Sequence, residues 1–373
     1  MKQFFGWLLV CVLLSTGCRK LINIPHPGHN NNDSDLVGFT QVNLVANNSE
    51  YGAKLVDSTL LNAWGLAWSP GGIAWVNAQA GHVSELYTAE GAIVRPPVAI
   101  PSPGDSVGGN PTGIVFNSTK GFKLTNGSPA AFIFVGVDGI LSAWNGAAGG
   151  KAQKIANRSA HSAYTGLAIA AFGGTTFIYA ADFRRGRIDV WDTAWTEMHF
   201  SFRDRDIPSG YAPFNIQAIG SWLYVTYAKV GADGESEAGA GKGFVDIFNT
   251  DGSFVDRFAS RGNLNAPWGI AMAPAGFLHR SDVDSVQSAG DSATMGPVIL
   301  VGNFGDGHIN VYGQDGKRLG QLMASKHKPV WIDGLWAIGF APATATAIDP
   351  MRLYFTAGPD DESDGLFGYL IKE

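Results

Sequence analysis

The feature that most constrains this chain is a phrase it writes six times. It reads "NAWGLAWSP" from Asn62, "NPTGIVFNS" from Asn110, "AYTGLAIAA" from Ala163, "APFNIQAIG" from Ala212, "NAPWGIAMAP" from Asn265 and "DGLWAIGFAP" from Asp333. Alignment puts Gly65, Gly113, Gly166, Asn215, Gly269 and Ala337 in register, at spacings of 48 to 68 residues. A period near fifty residues marks a propeller or a solenoid, built from one supersecondary unit per repeat.

Each unit carries the same parts. The phrase is a short strand rich in small residues. A β-prone run follows: "GIAWVNA", "AAFIFVGV", "TTFIYAAD", "SWLYVTYA", "PVILVGNF" and "RLYFTAGP". Then comes an alternating strand: "GHVSELY", "GILSAWN", "GRIDVWD", "GFVDIFN", "GHINVYG" and "GLFGYLI". Such alternation marks a half-buried strand. Glu90-Gly91, Asp251-Gly252 and Asp315-Gly316 supply tight turns into a fourth strand. "VRPPVAI", "AQKIA", "HFSFRD", "FVDRFAS" and "RLGQLMA" provide only five fourth strands for six units. The sixth is expected from "FTQVNLVAN", starting at Phe39, because a closed ring leaves no open sheet edge. The expected fold is all-β: a six-bladed β-propeller whose N-terminal strand completes the last blade. The phrase opens each innermost strand, where Gly and Ala permit close approach of backbones near the axis. Trp64, Trp268 and Trp336 are expected to pack between neighbouring blades.

The unit lacks the Gly-His and Trp-Asp marks of a WD repeat and looks more like NHL-type propellers. The motifs "NAWGLAWSP", "ADFRRGRIDVWD", "NAPWGIAMAP", "VGNFGDGHINVYG" and "LYFTAGPDDESDGLFG" span nearly all of residues 39 to 373. Through them the chain resembles a family of exported bacterial NHL-like propeller proteins of uncharacterised activity, some of which bear PEP-CTERM tails. The resemblance implies the fold and export, and it supplies no catalytic residue. This chain departs from it in having no PEP-CTERM tail.

The N-terminus reads as a leader. Lys2 precedes an apolar run from Phe4 to Leu14, which is short for a bilayer span but suits a signal h-region. "LLSTGC" then leads to Cys18 and resembles a bacterial lipobox, with Ser15 where Leu is preferred. The other of the two cysteines, Cys11, lies inside the leader, so the mature chain has no partner for an internal disulfide. The expected organisation is a lipoprotein signal over 1–17, a polar tether over 18–35 beginning at lipidated Cys18, and the propeller over 36–373. His26 and His29 read as part of a solvated linker. The expected location is the bacterial cell envelope, with the membrane reached through the lipid. A net charge of -6 argues against a nucleic-acid partner. The chain is expected to act as a monomer.

Propeller ligands usually sit at one mouth of the central channel. The loops entering the innermost strands carry Asn62, Asn110, Asn265 and Asp333. The ends of the second strands carry Asn77, Asp138, Asp182, Asn303 and Asp360. A ring of such oxygens offers hard-cation ligands, and Asn62, Asp182 and Asp333 are the candidate Ca²⁺ set. Arg184, with Arg185 and Arg187, lies beside Asp182 and suits a carboxylate or phosphate. The competing reading is that Asn and Asp cap turns. "GPDDESDG" reads as an acidic turn, and "GADGESEAGAGKG" as a Gly-rich loop of blade four. Two functions follow. The first is a lipid-anchored module that binds a protein, glycan or small molecule at the channel mouth. The alternative is a Ca²⁺-dependent hydrolase, similar in architecture to gluconolactonase-type propellers. Such lactonases typically use an early Glu ligand, and neither Glu50 nor Glu85 falls in the phrase.

Overall fold

Apolar runs and alternating segments become strands where the repeat predicts them. The computed structural model describes residues 33–278 and 297–373. The leader, Cys18, most of the tether and the insertion starting at His279 lie outside the described residues.

Blade one comprises Ala63–Trp68, Ala74–Ala78, Val83–Tyr87 and Val98–Ala99, and the next four blades repeat the same four-stranded antiparallel meander. Their innermost strands are Pro111–Phe116, Tyr164–Phe172, Tyr211–Ile219 and Pro267–Met272. Blade six is built from Leu335–Gly339, Leu353–Ala357 and Leu366–Lys372, and its fourth strand is Phe39–Ala46. The pairing runs from Phe39 opposite Lys372 to Ala46 opposite Leu366, so the N-terminal strand closes the ring as expected. Asp364 fastens this closure. It accepts from Asn47 Nδ2 at 2.6 Å and from the Tyr51 hydroxyl at 2.6 Å.

Fourth strands depart from expectation where side chains have other work. In blade one, Pro96 and Pro97 lack the N–H a ladder needs, and only Val98–Ala99 pairs. In blade three the outer strand is Glu197–Met198, and "HFSFRD" is not a strand. Its aromatics instead fill the gap between blades three and four. Phe200 lies 5.1 Å from Phe177, and Phe202 lies 5.3 Å from Phe248. Asp204 pairs with Arg257, which also holds Asp246. In blade five the strand stops at Gln321, and Met323–Ser325 turns into a short hairpin with Lys328–Pro329.

Each neighbouring pair of blades encloses its own apolar core. Leu44, Val76 and Phe367 join blades six and one, while Trp75 stacks on Phe132 at 4.0 Å between blades one and two. Ile178 and Trp191, Tyr179 and Val225, Tyr224 and Ile299, and Leu300 and Phe355 lie in the other four interfaces.

The repeated glycine explains how the blades meet. A Cβ on Gly65 would stand 2.1 Å from the Thr112 carbonyl oxygen of the next blade. On Gly269 it would stand 2.6 Å from the Trp336 carbonyl oxygen, against 3.4–4 Å for ordinary contact. At the two positions without Gly, the backbone N–H of Asn215 and of Ala337 donates to the hydroxyl of Thr226 and of Thr356, each at 3.0 Å. Asn215 Nδ2 then donates to the Trp268 carbonyl at 2.8 Å, bridging to blade five.

Gly65→Ala is expected to destabilise the protein by about 3 kcal/mol, the upper end of overpacking costs, because backbone and not a movable side chain is struck. Gly104→Ala, in open space, serves as the neutral control. Urea unfolding of both variants measures the difference; equal midpoints would show that blade contact does not depend on this glycine.

Candidate functional site

All six innermost strands carry a register shift at the phrase, between Ala63/Leu66, Pro111/Ile114, Tyr164/Gly166, Pro213/Asn215, Pro267/Gly269 and Leu335/Ile338. A bulge bends its strand and re-aims a side chain. The residue before the aligned position is Trp64, Thr112, Thr165, Phe214, Trp268 and Trp336 in turn. The four aromatics among these meet in one cluster, together with Phe183 and Phe304. Trp336 is sandwiched, with Trp64 stacked at 3.5 Å and Phe304 at 3.9 Å. Trp268 meets both Trp336 and Trp64 edge-on. Its indole N–H donates to the Thr165 carbonyl at 2.9 Å, which links blade five to blade three.

The three tryptophans pack between neighbouring blades, five on six and six on one, as the sequence suggested, and they also reach past those neighbours, Trp268 to Trp64 and to the Thr165 carbonyl. They cross the axis and plug the channel. The reason is the bulge, which a pattern of alternating residues does not register.

The plug is lopsided. Blades one, four, five and six contribute an aromatic at the bulge, while blades two and three contribute only Thr112 and Thr165. A cavity of 520 Å³ occupies the space on the side of Thr165. Its floor is Trp64, Trp336, Phe183, Phe214 and Phe304, and its charged lining is Arg184, Arg185, Asp233, Glu235 and Glu362. A second cavity of 510 Å³ lies at the other end of the innermost strands and has no charged side chain in its lining.

Of the ten candidate mouth residues, Arg184 lines the cavity. The others do not line it, and most of their side chains hold the loops. Asp138 accepts from the backbone N–H of Asn110 at 3.1 Å, Asp182 from Ala163 at 3.1 Å, and Asn303 from Asn265 at 3.2 Å. This is one latch repeated in three blades, tying the end of the second strand to the start of the phrase. Asp182 also accepts from the Arg185 N–H at 3.2 Å, fixing the loop that presents the arginines. Asn77 Nδ2 donates to the Thr112 carbonyl at 2.9 Å, from blade one to blade two. Asn265 Oδ1 accepts from the Gly239 N–H at 2.6 Å, and Asp333 from the Asp360 N–H at 3.2 Å. Asp360 also accepts from the Ser363 hydroxyl at 2.9 Å. Burial pushes the carboxyls of Asp138 and Asp182 above the usual range, against the N–H groups that favour their charge.

The three residues of the candidate Ca²⁺ set are thus engaged with separate partners. Asn62 Oδ1 accepts from the Trp336 indole at 2.8 Å and its Nδ2 donates to Glu362 Oε2 at 2.6 Å, while Asp182 and Asp333 serve backbone N–H groups. Among the described residues, no three His, Cys, Asp or Glu side chains gather as a metal site.

The geometry adds residues that the repeat did not single out. Glu362 comes from the acidic turn, where Asp360, Asp361 and Glu362 have φ of 54°, 50° and 66°. Left-handed backbone costs a non-glycine residue about 1–2 kcal/mol. Bonds from the N–H of Glu362 to Gly358 O, of Ser363 to Asp360 O and of Asp364 to Pro359 O hold the turn. Burial raises the Glu362 carboxyl, the bond from Asn62 opposes, and the charges of Glu235 and Asp361 add to the rise. Asp233 and Glu235 come from the Gly-rich insertion of blade four. Phe183 and Phe304 each follow a latch residue, a signal visible in the sequence as "DF" at 182 and "NF" at 303.

Glu85 lies elsewhere, 1% exposed in the third strand of blade one. The Thr59 hydroxyl stands 2.6 Å from Glu85 Oε1 and 2.7 Å from Asp57 Oδ1. One hydroxyl donor is thus shared between two carboxyl groups. Asp57 also accepts from the Thr59 N–H and the Tyr87 hydroxyl, whereas Glu85 has no further donor among the described residues. Burial pushes it up to about 7, against the Thr59 bond.

Fold and site together define a six-bladed β-propeller with an aromatic-plugged channel and a charged mouth cavity. No family model matches the chain. Uncharacterized protein R648 of Acanthamoeba polyphaga mimivirus is 32% identical over 350 residues, covering 89% of this chain and 80% of that protein. The chain belongs to the family of this protein. Uncharacterized protein L690 of the same virus is 39% identical over 223 residues, covering 57% of this chain. Uncharacterized protein R640 is 31% identical over 267 residues, covering 67% of this chain. The matches span about half the length of those two, 52% and 46%. Among solved structures, a streptogramin B lyase aligns over 90% of this chain and 97% of its own at 13% identity and a TM-score of 0.48. Virginiamycin B lyase from Staphylococcus aureus aligns over 90% and 99% at 13% identity and a TM-score of 0.47. Likeness at that level carries no activity over to this chain.

The pH dependence of stability follows from Glu85. Its folded value lies above the unfolded value, so between about 4.5 and 7 the folded state binds more protons. Stability from this group is complete below that window and falls as pH rises through it, by at most about 1.4 kcal/mol per pH unit. Asp246, which burial also raises to about 7, acts in the same direction. Glu85→Gln is expected to flatten the decline in urea midpoint between pH 5 and 7.5; an unchanged slope would show that Glu85 is charged in the folded protein.

Proposed function

We propose that this chain is an exported, membrane-tethered propeller that acts by binding a small molecule in the mouth cavity. The observation that carries the reading is the cavity itself: 520 Å³ over an aromatic floor, with charged side chains at its walls. Small-molecule sites are concave, mostly apolar and furnished with a few placed polar groups. The Ca²⁺-dependent hydrolase has no comparable support, because Asn62, Asp182 and Asp333 serve separate hydrogen bonds.

Thr165→Trp tests the site by placing in blade three the residue that blades one, five and six carry at the same repeat position. A thermal-melt screen of small molecules against the native protein, in EDTA and then with Ca²⁺, identifies stabilising compounds. A ligand at a hundredfold excess over its dissociation constant raises stability by about 2.7 kcal/mol. The expected result is a Ca²⁺-independent rise that Thr165→Trp abolishes. A rise produced by Ca²⁺ alone would instead favour the hydrolase.

The anchor is proposed on the sequence "LLSTGC" ending at Cys18. Expression with a labelled fatty acid is expected to label the native protein and leave Cys18→Ala unlabelled and soluble. Equal labelling of both would remove the lipid from the reading.

A further inference from the structure

The charges of the mouth cavity come from separate loops. Arg184 and Arg185 sit on the loop that Asp182 fixes, and neither makes a side-chain hydrogen bond or ion pair among the described residues. Asp233 is committed to its own turn, accepting from the Glu235 N–H at 3.0 Å. The Glu235 carboxylate has no such bond among the described residues and lies within electrostatic reach of Glu362. Glu362 is positioned by a relay: the Trp336 indole donates to Asn62, which donates to Glu362. Two acidic side chains from separate loops therefore line the cavity within electrostatic reach of each other, and two guanidinium groups stand without partners among the described residues in the same cavity. No ion pair joins the two sets, although both line one space.

An ammonium group between Glu362 and Glu235 would relieve their repulsion, and aromatic faces attract such cations. A carboxylate suits the planar fork of arginine. An apolar body matches the floor of Trp64, Phe183, Phe214 and Phe304. We propose that the ligand is a peptide-sized zwitterion, with its free ammonium held at Glu362 and Glu235 and its carboxylate at Arg184 and Arg185. This rests on the reading of the mouth as a ligand site. It also gives Asn62 a role as a positioning residue, which aims Glu362 and does not touch the ligand.

The test is calorimetric titration of the full-length protein with four probes: the dipeptide Phe-Gly, N-acetyl-Phe-Gly, Phe-Gly amide and the neutral N-acetyl-Phe amide. Phe-Gly is expected to bind at least tenfold more tightly than either singly blocked form. Glu362→Gln should remove the penalty for acetylation and keep the penalty for amidation. The double variant Arg184→Ala/Arg185→Ala should do the reverse; both arginines are exposed, so the fold is retained. The proposal is overturned if Phe-Gly fails to bind, binds no better than its blocked forms, or keeps its preference over N-acetyl-Phe-Gly in Glu362→Gln. Its failure is separable from failure of the mouth itself. If the neutral probe binds and Thr165→Trp abolishes that binding, the mouth reading stands without the zwitterion. If no probe binds and the melt screen yields no compound sensitive to Thr165→Trp, both fall.

Discussion

The structure depends on how closely six innermost strands approach one another. Where Gly65 meets the Thr112 carbonyl and Gly269 meets the Trp336 carbonyl, backbones touch with no room for a Cβ. Blades packed this tightly leave little room for adjustment at their inner edges, so the interface cores further out have a defined gap to fill. Trp75 on Phe132 and the Leu300–Phe355 cluster fill two of those gaps. The two exceptions to glycine are compensated in the same manner. Thr226 and Thr356 accept the backbone N–H groups of Asn215 and Ala337, replacing a steric fit with a hydrogen bond.

Close approach also creates the functional geometry. The bulge beside each close contact turns one side chain per blade towards the axis. Four of these are aromatic, and stacked or edge-on pairs add about 0.5–1.5 kcal/mol each beyond their burial. Two are threonines, and the missing volume becomes the cavity. The site is therefore an interruption of the symmetry of the plug, bordered by loops from three blades. The arginine loop of blade three, the insertion of blade four and the left-handed turn of blade six each supply charge to it.

Legibility differed between the fold and the site for a physical reason. Strand alternation and glycine spacing are local, and they placed the strands, the blades and the ring closure by Phe39–Ala46. The pattern is least informative for the outermost strands, where Pro96 and Pro97 interrupt the ladder and where Phe200 and Phe202 leave it to fill an interface. Asn and Asp at the ends of second strands were also legible, but their recurrence reflected a latch. An oxygen that accepts the same backbone N–H in several blades recurs for structural reasons, as the bonds of Asp138, Asp182 and Asn303 show. Arg184 is legible because its charge stands out in "ADFRRGR". Glu362 is one of four clustered acids, and only the turn at Asp360–Glu362 selects which one enters the mouth.

By itself the sequence determined the repeat, the six blades, the strand order and the closure, because each is written in the order of residues along one chain. Tertiary structure alone decided that the tryptophans cross the axis, that Thr165 leaves a cavity, and that Arg184, Glu235 and Glu362 share it. Those residues are separated by tens to hundreds of positions and brought together by ring closure. Their meeting depends on the aim of bulged strands and on the volumes facing one another at the axis, and no local pattern encodes either.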